Sequence, residues 1–294
     1  MKRRCPLMKF ISIVFMIIFI TSSIFPLNII TTVNPYYLLL KEITAGADNV
    51  SLLIEPGQNP HVYSPNVEDI RKLSSADLII ANGFDLESFL IEKLNWLEHS
   101  GKRVIFVSTY IDEVLRSSSD SKSNEDHINP HIWLGFSLLT EYIIPGLTND
   151  LSKIEPSKAG LYSENAQKLI NNLRDMHRDL SEYLLPLSGK KVLMSHPSFY
   201  YFFRDFGIDT VSLFEGHGDE PTISELKDII KAAKSGEFIA AFGEYQQNNK
   251  SIEIVIKETG IDNSELDPLG IGRKDFEDFL KWNINRITEV INVH

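Results

Sequence analysis

Short apolar runs alternate with stretches of helical period along most of the chain. The runs at residues 27–33, 77–81, 103–108, 191–195, 210–214 and 238–242 are bounded by polar or glycine positions and predict strands. Between them, Leu86, Phe89, Leu90, Leu94 and Leu97 recur at helical steps and predict one buried helix face. Thr222 and Glu225 form a capping-box signature. It opens a helix with Leu226, Ile229, Ile230 and Ala233 on one side. Gly260 is placed to stop the next helix. Strands alternating with helices predict α/β layers with mainly parallel sheets.

Residues 156–185 break the alternation. They carry no strand signal, and Leu169, Leu173, Met176, Leu180 and Tyr183 repeat at steps of three and four. Pro156 suits a first helical turn. The segment predicts one long helix of roughly 45 Å, a rigid connector between two lobes.

Composition narrows the class. The chain has 294 residues, long enough for two domains. Its 29 basic and 40 acidic residues leave a net charge of −11, which argues against nucleic acid as a partner. The single cysteine, Cys5, excludes an internal disulfide and a thiolate zinc site. Lys2, Arg3, Arg4 and Lys9 flank an apolar run at residues 10–20, the pattern of a signal peptide. The globular part is therefore expected outside the cytoplasm. No clear cleavage site follows, so residues 1–25 would serve either as a removed signal or as an N-terminal anchor.

Four residues stand in unusual contexts: His61 in PGQNPHVYSP, His131 in NPHIWLG, His196 in LMSHPSF and Asp267 in ELDPLG. Nothing local joins them. If folding brought them together, three imidazoles and a carboxylate would fill a tetrahedral shell for Zn²⁺ or a similar ion. A filled shell suits binding, whereas catalytic zinc keeps a position open for water. No H-E-x-x-H pattern supplies a general base, so a zinc hydrolase is the weaker reading. His99, His177 and His294 read as solvated or packing residues, and Trp133 as core. His217, in FEGHGDEPT, reads as part of an acidic surface loop, with a contact at the cleft entrance or weak binding of a second ion as the alternative.

These strings, with YSENAQKLINNL, SHPSFYYFFRDFGI and DEPTISEL in the same order, carry a resemblance. The chain resembles the metal-binding receptors of ABC-type zinc and manganese importers, the ZnuA/TroA-like solute-binding proteins. The resemblance runs from about residue 27 to residue 286. It implies two α/β lobes joined by a long rigid backbone helix, with the metal site in the cleft between them. On that reading residues 26–155 form the N-terminal lobe, 156–188 the connecting helix and 189–294 the C-terminal lobe. His61 and His131 would come from the first lobe, His196 and Asp267 from the second. The resemblance further implies a monomeric, non-enzymatic receptor on the periplasmic or extracellular face of the membrane. Its partners would be a divalent metal ion and the membrane permease of an ABC importer. A metal-stapled surface adhesin on the same fold is a rival reading. His196 at the third position tilts the metal toward Zn²⁺, with Mn²⁺ as the alternative, because the family often has glutamate there in manganese receptors. Asn59, Asn129 and Gly135 depart from aspartates common at those positions. The departures predict weaker hydrogen-bond support for the ligating imidazoles.

Overall fold

The computed structural model describes residues 25–117, 128–214, 220–247 and 249–291. The export segment and His127, His217 and His294 lie outside the described residues, apart from Phe25 at the segment's end. Two four-stranded sheets organise the chain. The first contains β1 (Asn28–Thr31), β2 (Asn49–Leu52), β3 (Leu78–Ala81) and β4 (Arg103–Phe106), in the order β2-β1-β3-β4. The second contains β5 (Lys191–Met194), β6 (Asp209–Ser212), β7 (Phe238–Glu244) and β8 (Asn263–Leu266), in the order β6-β5-β7-β8. All pairings are parallel. The two orders are the same permutation, so both lobes are wound alike. In each, the chain leaves the first strand on one side and then crosses to the other. That reversal opens a crevice at the carboxyl ends of the strands, where ligands of such sheets bind.

Six of these strands coincide with the apolar runs. β2 and β8 were not predicted, and their sequences show why. NVSL and NSEL are sheet edges with little fully buried surface, so no apolar run marks them. The helix after β3 also differs from expectation. It begins only at Ile91, and Phe89 is exposed while Leu86, Leu90, Leu94 and Leu97 are buried. The buried Glu87 carboxylate accepts from the Asn82 and Gly83 amides at 2.7 and 3.0 Å. This folds residues 84–90 into turns, with Phe84 and Asp85 at positive φ.

The connector is one helix, Ala159–Leu184, continued at its ends by 3₁₀ turns Pro156–Lys158 and Leu185–Leu187. Leu169, Leu173 and Leu180 of the seam are buried, and Met176 packs beside them. Tyr183 is half out, its hydroxyl donating to the Ile291 carbonyl at 3.3 Å. The main hydrophobic core runs through this helix and contains residues of both lobes, from Ile29 to Ile291. No proline interrupts the helix, so it resists sharp bending. No helix among the described residues is long and apolar enough to cross a membrane.

The connector's first turn also clamps the start of the first lobe. Lys158, 5% exposed, pairs with buried Asp48 and donates to the carbonyls of Ala47 and Phe25 at 3.1 and 3.3 Å. Asp48 also accepts from the Tyr162 hydroxyl and the Leu27 amide. Losing the cation would leave this carboxylate buried without its charge partner. Lys158→Met is therefore expected to cost about 3–5 kcal/mol of unfolding free energy in urea titration. A cost below about 1 kcal/mol would show that the clamp is dispensable.

Candidate metal centre

The three histidines converge between the lobes, each beyond the carboxyl end of a strand. His61 sits in the 3₁₀ turn Pro60–Val62 after β2, where the Asn59 side chain accepts its backbone N–H at 2.9 Å. His131 follows β4 and is 4% exposed, and His196, just past β5, is 6% exposed. One ligand nitrogen from each lies within 4.8 Å of the others. The Nε2 atoms of His61 and His131 are 3.4 Å apart, and the rings of His131 and His196 have centroids 4.8 Å apart. Such crowding of imidazoles suits three lone pairs aimed at one cation.

Hydrogen bonding fixes which nitrogen of His131 faces the centre. Asn129 Oδ1 accepts the His131 backbone N–H at 3.0 Å, so this end of the amide is an acceptor. The same oxygen lies 2.8 Å from His131 Nδ1, which must then carry the proton. Nε2 is left as the donor to an ion. The expectation of weak support at Asn129 is thus corrected: the asparagine oxygen does what a carboxylate oxygen would. Gly135 has its own cause. A Cβ there would meet Tyr201 Cβ of the second lobe at 3.0 Å, so a side chain would fit only if Tyr201 gave way by a few tenths of an ångström.

Burial, followed by repulsion from His196 and His61, holds the His131 pKa well below its usual 6.5. The ring is therefore neutral and able to ligate at neutral pH. From the first lobe, Asn82 braces this loop by donating from Nδ2 to the Pro130 carbonyl at 2.9 Å. Asn82 is in turn held by Glu87 and by the Tyr36 hydroxyl. Burial pushes the Glu87 carboxyl up, against hydrogen bonds that lower it.

Two acidic residues border the histidines. Glu244, which the sequence reading missed, ends β7 almost wholly buried. Its Oε2 is 3.4 Å from His196 Nδ1, and its Oε1 accepts from the Ser198 hydroxyl. With Nδ1 turned to Glu244, His196 has Nε2 available for an ion. An acid closing an apolar strand was the signal that could have revealed it.

Asp267 directly follows β8 and is 2% exposed. It is not among the three residues whose ligand atoms cluster within 4.8 Å. Its Oδ1 accepts from Gln246 Nε2 and the amides of Leu269 and Gly270 at 2.6, 3.1 and 2.8 Å. Oδ2 accepts from the Ile271 amide at 2.6 Å. Asn283 of the last helix grips its backbone from both sides. The loop it organises docks on the first lobe. Trp133 Nε1 donates to the Pro268 carbonyl at 2.8 Å, and Asn34 Nδ2 to the Leu269 and Gly270 carbonyls at 2.8 and 3.0 Å. Gly270 has a φ of +71°, and a Cβ there would meet Phe279 and Asn34 at 3.0 and 3.2 Å. Trp133 is core, as expected, and also ties the lobes together.

Two like-wound parallel lobes, a rigid connector and a histidine triad between them define a metal-binding receptor of the solute-binding class. The chain belongs to the ZnuA family, "Zinc-uptake complex component A periplasmic", whose model matches residues 29–290. It is 36% identical over 265 residues to a Thermotoga maritima protein named as metal-binding, covering 90% of this chain and 92% of that protein. It is 25% identical over 268 residues to the manganese-binding lipoprotein MntA of Halalkalibacterium halodurans, covering 88% of this chain and 86% of the relative. Among solved structures, a zinc-bound ZnuA deletion mutant superposes with a TM-score of 0.80 at 26% identity. That match covers 92% of this chain and all of the other. The chain is thus a divalent-metal solute-binding protein of an ABC-importer family and not an enzyme.

Proposed function

We propose that this protein captures Zn²⁺ outside the cytoplasm through His61, His131, His196 and Asp267 and delivers it to the permease of an ABC importer. The observation that carries the proposal is the convergence of three imidazoles between the lobes. A nitrogen-rich donor set favours zinc over manganese, which prefers carboxylate and water oxygens. Asp267 is the proposed fourth ligand because its two oxygens are unequally engaged. Oδ1 accepts three hydrogen bonds, whereas Oδ2 accepts one from Ile271 and keeps a lone pair. Ligation through Oδ2 would leave the loop's other bonds intact. Glu244 would hold the His196 ring, an arrangement common behind zinc-bound imidazoles.

The proposed receptor acts as a monomer, and its position outside the membrane rests on the N-terminal apolar run and the periplasmic family. Manganese is the alternative cargo, and the manganese-binding relative MntA supports that reading. Competitive titration of metal-free protein with Zn²⁺ and Mn²⁺ decides between them. Zinc is expected to displace manganese at a small fraction of its concentration, following the stability order of nitrogen sites. Retention of manganese against equimolar zinc would reverse the assignment.

A further inference from the structure

The Asn129 side chain touches both halves of the site. Its Oδ1 holds the His131 backbone N–H and the ring Nδ1. Its Nδ2 donates across the cleft to the Pro197 carbonyl at 2.7 Å, on the residue after His196. A carbonyl can only accept and a backbone N–H can only donate, so the amide has one possible orientation. Its main-chain carbonyl receives a further bond from the second lobe, the Tyr201 hydroxyl at 2.9 Å.

From this geometry we infer that Asn129 is a positioning residue that couples the orientation of the His131 ring to the seating of the second lobe's His196–Pro197 turn. The inference rests on the proposed histidine shell. One rigid amide plane carries both bonds. Withdrawal of the Pro197 carbonyl would release the NH₂ end, and the whole amide could then turn. The acceptor that aligns His131 would turn with it. Separation of the lobes is thereby linked to loosening of a ligand in the opposite lobe. Ion release then needs no large bend of the connector. A displacement that breaks one hydrogen bond at the cleft is enough to weaken the grip on the ion.

An aspartate at this position could still accept both His131 protons. It could not donate to Pro197, and its second oxygen would face the carbonyl oxygen. Asn129→Asp therefore separates ring orientation from the bond between lobes, whereas Asn129→Ala removes both. The test has two arms. In metal-free protein, hydrogen exchange at the amides of residues 198–201 should quicken about fivefold in Asn129→Asp, the fold-change of one ordinary hydrogen bond. The ¹⁵N imidazole signals of His131 should keep the Nδ1–H tautomer in Asn129→Asp and lose it in Asn129→Ala. In zinc-loaded protein, Asn129→Ala, which removes both bonds without adding a charge behind the ring, should release Zn²⁺ to a chelator at least about fivefold faster than the wild type. Wild-type exchange in Asn129→Asp together with wild-type release in Asn129→Ala would overturn the coupling. A wild-type protein that holds no zinc, alongside altered exchange in metal-free Asn129→Asp, would instead refute the shell and leave the coupling standing.

Discussion

Replacing His131 or His196 by alanine is expected to lower zinc affinity by more than about a hundredfold. Loss of a residue that merely supports a ligand already costs 10–100-fold, and these side chains supply the lone pairs themselves. Both rings are nearly buried; the Asn129 oxygen holds the His131 ring, and the Glu244 carboxylate approaches that of His196. A water filling the gap would reach the ion without that preorganisation. Competition against a zinc-chelating dye measures the loss. His99→Ala is the control. That ring closes the helix Ile91–His99, with Nδ1 2.6 Å from the Asn95 carbonyl, and its removal should leave affinity unchanged. Metal-free His131→Ala should still melt cooperatively, since the ring's main partners are the Asn129 oxygen and the neighbouring rings. Near wild-type affinity in His196→Ala would remove the second lobe from the site.

Zinc should also stabilise the native protein strongly. The unfolded chain scatters the three histidines, so the ion binds almost only the folded form. Free zinc at a thousand times its Kd would add about 4 kcal/mol, a rise in melting temperature on the order of 10 °C for a chain of this size. The gain should shrink with acidification, because a protonated imidazole has no lone pair to give. The metal-free protein has its own pH dependence, and its sign follows from His131. Burial first, then the neighbouring rings, depresses the folded pKa of this group below 6.5. Its neutral form is thus favoured by folding. The contribution to stability is complete above the unfolded value near 6.5 and is lost as pH falls from there toward the folded value. Thermal scans from pH 8 to pH 5 with and without zinc separate the two effects. A melting temperature indifferent to zinc at pH 7.5 would contradict both the site and the linkage.

Much of this was legible before folding, and the gaps have physical causes. Interior strands such as LIIA announce themselves because both faces are buried. The edges β2 and β8 expose one face and carry asparagine, serine and glutamate, so their pairing is a tertiary fact. The connector was readable because a seam of leucines and a proline-free interior need no distant partner to be recognised. The three histidines stood out through their flanking motifs. Glu244 and Asn82 did not, although each lies at the carboxyl end of a parallel strand, where both sheets place their crevice. In the sequence Asn129 is visible only as a departure from a common aspartate. Its role depends on a carbonyl in the other lobe, which no local pattern contains.

Both lobes are expected to hold one ion jointly. A crystal structure of the zinc-loaded protein, with anomalous data across the zinc edge, tests it most directly. One strong peak is expected between the lobes, about 2.0–2.2 Å from a nitrogen of each of His61, His131 and His196, with an Asp267 oxygen at similar distance. A peak bound by residues of one lobe alone, with the three imidazoles left apart, would contradict it.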